Sequence, residues 1–367
     1  MSDRAGAALR TVVVGPAREE REAVVLRLDD GLGTVGWGEA SPLPGYSPDS
    51  LDTAERALDD WVDRWLADEA RTETETGGID SSGPAGDEAL RESPAAGCAA
   101  DTALLDLATR RLGVPLHAGL LDLLRPARGV ARGVARVPVA ALVTLTGVER
   151  AGAVDASVDV LAAVADRVAD GYRTVKFKLG GIAGFEAELE ELVAVRMAFP
   201  YLRMRLDVNG GWRTDEAGER LASLQQAIAP EFVEQPVGAE ALLELGRMPV
   251  PLAADETMRL PGALARLAEG GGCAVVVLKP MVLGGLRSCL ALAGEAYENG
   301  IDVVVSHTVG GPVAHAAACE LALALAAAAP ASPVPAAGLG GHDDLPQRSG
   351  PWIAPADVIG HGIDAPW

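Results

Sequence analysis

Residues 174–180 read TVKFKLG, and the same form returns as RLDVNGGW at 205–212, FVEQP at 232–236, AADET at 253–257 and VLKPMVLGG at 277–285. Each is a short aliphatic or β-branched run that ends on a charged residue and breaks into a turn. Helix-like stretches at 185–197, 215–228 and 288–298 lie between most of them. Further strand-like runs stand at 137–143 and 303–306, and 336–339 is the candidate for an eighth. Strand then helix, repeated every 20 to 40 residues or so, signals a parallel sheet. At least seven such units in succession favour a TIM-like (β/α) barrel over an open doubly wound sheet. The expected fold class is therefore α/β.

A barrel presents its chemistry at the C-terminal ends of its strands. Five successive runs end there on charge: Lys176 and Lys178, Asp207, Glu234, Asp255, and Lys279. Alone, any of the carboxylates reads as a solvated strand end or a helix cap. At matching positions on adjacent strands, Asp207, Glu234 and Asp255 are expected to converge as hard oxygen ligands for Mg²⁺, with Mn²⁺ the alternative. Lys176 and Lys178 are two apart, so both point into the barrel while Phe177 faces the helices. Two adjacent ammonium groups are expected to lower each other's pKa and prepare one as a base. Lys279 is expected on the far side of the mouth, so a carboxylate substrate between them would meet a lysine on each face. Metal and base together suit abstraction of a proton beside a carboxylate, with the charge of the resulting enediolate stabilised.

Lysine usage reinforces this. Of 31 Lys+Arg residues only these three are lysine. Arginine cannot shed its proton near neutral pH, whereas lysine in a suitable environment can.

The remaining sequence bounds the setting. A net charge of −21 argues against nucleic acid and anionic membranes as partners; the small anionic carboxylate expected as ligand rests on the lysines and the metal site. Cys98, Cys273, Cys289 and Cys319 show no paired spacing and read as free thiols. MSDRAGAALR has no apolar signal region, and the apolar run at 321–330 is too short to span a bilayer, so a cytoplasmic protein is expected. Residues 1–112 read as an α+β capping domain with a mobile acidic insertion at 67–94. Within the cap, Asp49 and Ser50 are candidate N-caps for a helix at 51–66. Residues 113–136 read as a connector, 137–335 as the barrel, and 336–367 as the last strand and a tail packing on the cap. The pairs Gly284-Gly285 and Gly310-Gly311 could hold a second anionic group of the ligand or serve as plain turns. Ser306 and His307 are site candidates, although a polar strand end would look the same. No GxGxxG follows a first strand, which disfavours dinucleotide binding.

With GWGEASPLPGYS at 36–47 added to the strand-end motifs, the chain resembles the enolase superfamily in its muconate-lactonizing-enzyme-like subgroup. The cap segment most resembles the o-succinylbenzoate synthase family of menaquinone biosynthesis. The resemblance implies a (β/α)7β barrel and a cap built from both chain ends. It implies a lyase reaction, the Mg²⁺-dependent syn dehydration of 2-succinyl-6-hydroxy-2,4-cyclohexadiene-1-carboxylate. Lys178 would be the general base, Lys279 the opposing cation and Lys176 a supporting charge. Asp207, Glu234 and Asp255 would be the metal ligands, with Asn209 and Glu256 orienting them. N-succinylamino acid racemisation, dipeptide epimerisation and muconate cycloisomerisation use the same residue set. Three departures stand out: SHTVGG at 306–311, the acidic insertion at 67–94, and an N-terminus that leaves little room for the family's first strand and mobile loop.

Overall fold

The structure is a computed structural model that describes residues 6–14, 21–69, 84, 87–124, 136–145, 149–150, 153–154, 159–181, 184–329, 334–340 and 350–364. Seven parallel strands follow one another around the barrel in sequence order: Ala141–Thr144, Thr174–Lys178, Arg203–Asp207, Phe232–Glu234, Leu252–Ala254, Cys273–Leu278 and Asp302–Val305. The expected eighth strand is present only as single bridges, Val139 to Ala337 and Ser306 to Gly338. Those bridges lie next to the first and last strands and close the ring. Their hydrogen bonds run from Ala140 N to Ala337 O (2.9 Å) and from Gly338 N to Val305 O (2.8 Å). Phe177 is fully buried against the outer helices, as the alternation of the KxK strand requires. Inside the barrel floor, Arg205 lies over the Phe232 ring and donates to Glu231 and to the Ala336 carbonyl, both at 2.6 Å.

The expected first strand at 137–143 is divided. Val137–Pro138 pairs antiparallel with Trp352–Ile353 of the tail, and the barrel strand starts at Ala141. Pro138 has no N–H to give a ladder, so the chain changes partner there.

The cap is a three-stranded antiparallel sheet, Gly6–Val14, Arg21–Asp29 and Val35–Ala40, carrying the helix Pro94–Leu112. The full nine-residue strand Gly6–Val14 corrects the expectation of a curtailed first strand. The loop that follows it lies outside the described residues. Gly36 and Gly38 let the helix lie directly on the sheet, since a Cβ on Gly38 would stand 1.9 Å from the Ala99 carbonyl oxygen. The alanine-rich face of that helix is the matching surface.

Three further expectations change. Ser50 does cap the helix Leu51–Glu69 through Thr53 N, but Asp49 caps a different one, accepting from Ser93 Oγ and Ala95 N at 2.7 and 2.9 Å. The end of the supposed insertion is ordered: Glu88–Glu92 is a short helix that buries Leu90, and Asp87 pairs with Arg64. Residues 70–83 and 85–86 lie outside the described residues. Likewise the supposed connector begins with a helix, Leu116–Leu124, whose Leu116 and Leu120 join the barrel core. In the tail, His361 N donates to Asp106 Oδ1 (2.9 Å) and His361 Nε2 faces the Trp37 carbonyl (3.1 Å).

Candidate active site

The strand register brings the charged strand ends to one rim. Asp207 stands opposite both Lys178 and Glu234 on its neighbouring strands, while Asp255 and Lys279 directly follow the next two strands. The three carboxylates are buried. Lys176 Nζ lies 2.8 Å from both Asp207 Oδ2 and Glu234 Oε1. Lys178 Nζ donates to Asp207 Oδ2 (2.7 Å) and Asn209 Oδ1 (2.6 Å), and Lys279 Nζ to Asp255 Oδ2 (2.5 Å). Lys176, Lys178, Asn209 and Lys279 line a cavity of about 220 Å³, closed on the cap side by Leu43 and Tyr46. That volume lies below the usual range for drug-sized ligands and suits a small metabolite.

Burial alone would depress the Lys176 pKa, but Asp207 and Glu234 outweigh it and hold this ammonium charged well above its ordinary range. The expectation that adjacent lysines depress each other is thus corrected for Lys176, because its nearest charges are carboxylates. Burial likewise opposes the ionisation of Asp207, yet Lys176 and Lys178 hold it well below the carboxylate range. Glu234 goes the other way: burial and the neighbouring Asp207 charge push it up to about 7. Burial and the charge of Asp255 raise Glu256 as well, and its Oε2 is buried without a hydrogen-bond partner.

Among the described residues, no three acidic, histidine or cysteine groups converge closely enough to hold a metal as they stand. The oxygens of Asp207, Glu234 and Asp255 are turned onto ammonium groups instead. The rim nonetheless fits a divalent cation. It sets four carboxylates against three lysines, leaves a buried oxygen of Glu256 without a partner and drives Glu234 toward protonation. Hard oxygen donors short of positive charge are what Mg²⁺ binds.

The turns after the strands are held in left-handed backbone at Asn209 (φ 48°) and Gln235 (φ 41°). Such conformations persist where surrounding contacts impose them. Asn209 N donates to Asp207 Oδ1 (3.0 Å), and its side-chain amide reaches Glu256 Oε1 (3.1 Å), so it links two acidic strand ends. Gln235 was not anticipated. Its Oε1 accepts from Asp255 N and Thr257 N, both at 3.1 Å, and fixes the turn that carries Asp255. Tyr46 was also missed. Its hydroxyl donates to Asp255 Oδ1 and accepts from Lys279 Nζ, both at 2.8 Å. The only signal was its place in the cap motif at 36–47.

The glycine pairs are corrected. Both precede helices whose N-termini hold a carboxylate, but the carboxylates belong to the cap. Glu39 accepts from Gly311 N (2.6 Å) and Ala314 N (3.1 Å), and Asp101 accepts from Arg287 N (2.9 Å). Gly310 packs beside Glu39 and Ser41, Gly285 against Asp101, and the Gly284 carbonyl beside Gly97; none of the three lines the cavity. Ser306 and His307 do line it. Ser306 Oγ donates to Gly338 O (3.0 Å) and so ties its strand end to the closing segment, while His307 Nδ1 accepts from Val309 N (2.9 Å) and braces its own loop.

This capped barrel, with lysines and carboxylates gathered at its strand ends, belongs by fold and residue set to the class of α/β-barrel enzymes. Residues 159–364 match the family described as Enolase C-terminal domain-like, and residues 8–80 match the MenC N-terminal domain. The chain belongs to the enolase superfamily. It is 39% identical over 192 residues to the o-succinylbenzoate synthase of Thermobifida fusca, covering 51% of this chain and 56% of that protein. It is 26% identical over 307 residues to the L-Ala-D/L-Glu epimerase of Clostridium acetobutylicum, covering 82% and 78% respectively. A dipeptide epimerase from Methylococcus capsulatus, solved with Mg and the dipeptide L-Arg-D-Lys, superposes with a TM-score of 0.68 at 27% identity over 87% of each chain. No helix among the described residues is long and apolar enough to cross a membrane.

Proposed function

We propose that this chain is an o-succinylbenzoate synthase, a lyase that dehydrates 2-succinyl-6-hydroxy-2,4-cyclohexadiene-1-carboxylate to 2-succinylbenzoate. The observation that carries this reading is the match of residues 8–80 to the MenC N-terminal domain. The barrel lysines serve several reactions in the superfamily, whereas the cap contributes Leu43 and Tyr46 to the cavity wall and so bears on which substrate fits. A role in menaquinone biosynthesis follows from that activity.

Asp207, Glu234 and Asp255 would hold Mg²⁺, or Mn²⁺ in its place. When bound, the ion supplies positive charge beside the substrate carboxylate as its α-proton leaves. Lys178, the most exposed of the three lysines, is the base that takes that proton. The same ammonium then returns a proton to the departing hydroxyl: a C–H and a C–O bond break on one face, the ring gains its double bond and water leaves. Lys279 faces the cavity beside Tyr46 as the opposing cation, and Lys176 bridges Asp207 and Glu234 as a supporting charge. The cap and the His307 loop shield the reaction from water.

A second reading, epimerisation of an N-succinylamino acid or a dipeptide, is favoured by one observation. Lys178 and Lys279 both line the cavity, as two-base chemistry requires, and the epimerase relatives align over most of the chain. The test offers the purified protein the cyclohexadiene substrate with Mg²⁺ and with EDTA. In parallel, N-succinylamino acids and Ala-Glu dipeptides are incubated in D₂O. Dehydration that needs the metal is expected. Deuterium exchange at an amino-acid α-carbon without any dehydration would reverse the two readings. Lys178→Ala should lose turnover by at least about 10³-fold while keeping its thermal midpoint; retained turnover would remove Lys178 as the base.

A further inference from the structure

Tyr46 reaches the barrel mouth from the cap, and the contacts around it are more than packing. Its hydroxyl bridges Lys279 Nζ and Asp255 Oδ1, each at 2.8 Å. Lys279 Nζ also lies 4.5 Å from the Tyr46 ring centroid, and the Arg259 guanidinium carbon lies 4.8 Å from it. Arg259 donates to the Tyr46 carbonyl as well. It belongs to the turn Glu256–Arg259, which directly follows Asp255. One barrel turn therefore supplies a candidate metal ligand and grips the cap residue that touches it. Burial and the charge of Asp255 raise the phenol well above its usual range, so Tyr46 remains a neutral donor and acceptor.

We propose that Tyr46 is a positioning residue: its hydroxyl holds the Lys279 ammonium toward the cavity and fixes Asp255, so that seating the cap completes the site. The proposal rests on the reading of Lys279 and Asp255 as active groups. A cap shifted away from the mouth would leave Lys279 paired with Asp255 alone and free to swing. The hydrogen bonds and ring contacts of Tyr46 reach Asp255, Lys279 and Arg259, so the effect should centre on that side of the mouth.

The three lysines make this directly measurable. Brief labelling of the intact protein with an amine-acylating reagent, followed by peptide mass spectrometry, reports Lys176, Lys178 and Lys279 separately and needs no substrate. Tyr46→Phe keeps the ring and removes the bridge. It should raise Lys279 labelling several-fold while leaving Lys178 within experimental scatter, and Tyr46→Leu should raise it further. Magnesium titration calorimetry on Tyr46→Phe should show roughly tenfold weaker binding, because Asp255 has lost the partner that orients it. With whichever substrate the enzyme turns over, kcat should fall about tenfold or more with KM changed far less. Unchanged Lys279 labelling together with unchanged metal affinity in Tyr46→Phe overturns the proposal. A failure of every candidate substrate would instead overturn the functional reading and leave the labelling and metal results to decide Tyr46 on their own.

Discussion

Glu39→Gln tests how the cap is fastened to the barrel. The helix Pro312–Ala328 begins at Gly311, which has no side chain to cap it, and its first residue, Pro312, has no N–H. The missing cap comes from the other domain. Glu39 Oε1 accepts from Gly311 N (2.6 Å) and Ser41 Oγ (2.7 Å), and Oε2 accepts from Ala314 N (3.1 Å), at a position only 1% exposed. Glutamine keeps the shape but removes the charge, and its NH₂ must face at least one donor. Losing a partly buried anion at a helix N-terminus costs up to about 2 kcal/mol. Leaving one buried N–H unmatched costs about 1–3 kcal/mol. Since the two overlap, an expected loss of about 2–4 kcal/mol follows. Urea unfolding followed by circular dichroism should show a lower midpoint with an unchanged slope. Because Leu43 and Tyr46 lie a few residues beyond Glu39, the cavity should loosen and KM should rise. A loss below about 0.5 kcal/mol, the range of ordinary surface substitutions, would refute the cross-domain cap.

Two predictions concern glycines and one concerns pH. Gly38→Ala would push a Cβ to 1.9 Å from the Ala99 carbonyl oxygen, so thermal melts should show a loss of about 1–3 kcal/mol or insoluble protein. Gly218→Ala, in a helix with nothing near the added carbon, should instead stabilise the fold by about 0.5–1 kcal/mol in the same melts. Burial raises the Glu188 carboxyl above its ordinary value, only partly offset by the Gly181 and Gly180 amides it accepts from. The folded state therefore binds this proton more tightly than the unfolded state. Its contribution is fully present below the unfolded pKa, about 4.3, and is lost as pH rises through the raised folded value. Glu188→Gln should remove that part of the slope when urea midpoints are compared across the acidic range; an identical slope would count against the raised value.

The barrel was legible because its signal repeats. One strand ending in a carboxylate says little, but Asp207, Glu234 and Asp255 at equivalent positions recur with the strand period. The structure delivers them to one rim. What stayed hidden depends on which surfaces meet in space. Gly311 looked like an anion-binding turn, which is correct as local physics, but the sequence cannot show that Glu39 already fills it. Asp49 and Ser50 both read as caps for the following helix, and only the approach of Pro94–Leu112 assigns Asp49 to another. Tyr46 is separated from Lys279 by 233 positions, so no local pattern could pair them. Leu116 and Leu120 were overlooked because a nine-residue helix between two domains lacks a long periodic pattern. Val137–Pro138 merged with the true strand because an apolar run carries no mark of a change in partner.

The scarcity of lysine has a structural account in the contacts of the three that remain. Lys176 places one compact ammonium between Asp207 and Glu234, 2.8 Å from each, a gap suited to a point charge. A guanidinium is a planar fork with five donors and would have to open the rim to fit. Arg205, paired in register with Lys176 one strand away, shows the contrast: its guanidinium lies in the barrel floor and reaches Glu231 and a backbone carbonyl. At the floor a permanent, spreading charge is useful, since it ties the closing segment to the strands. At the rim the charge must stay compact. Each of the three lysines contacts a carboxylate proposed to bind the metal, so replacing any one by arginine would alter both the cavity and the ligand set. A chain that otherwise uses arginine throughout can keep lysine only where this difference matters, and all three sit at the mouth.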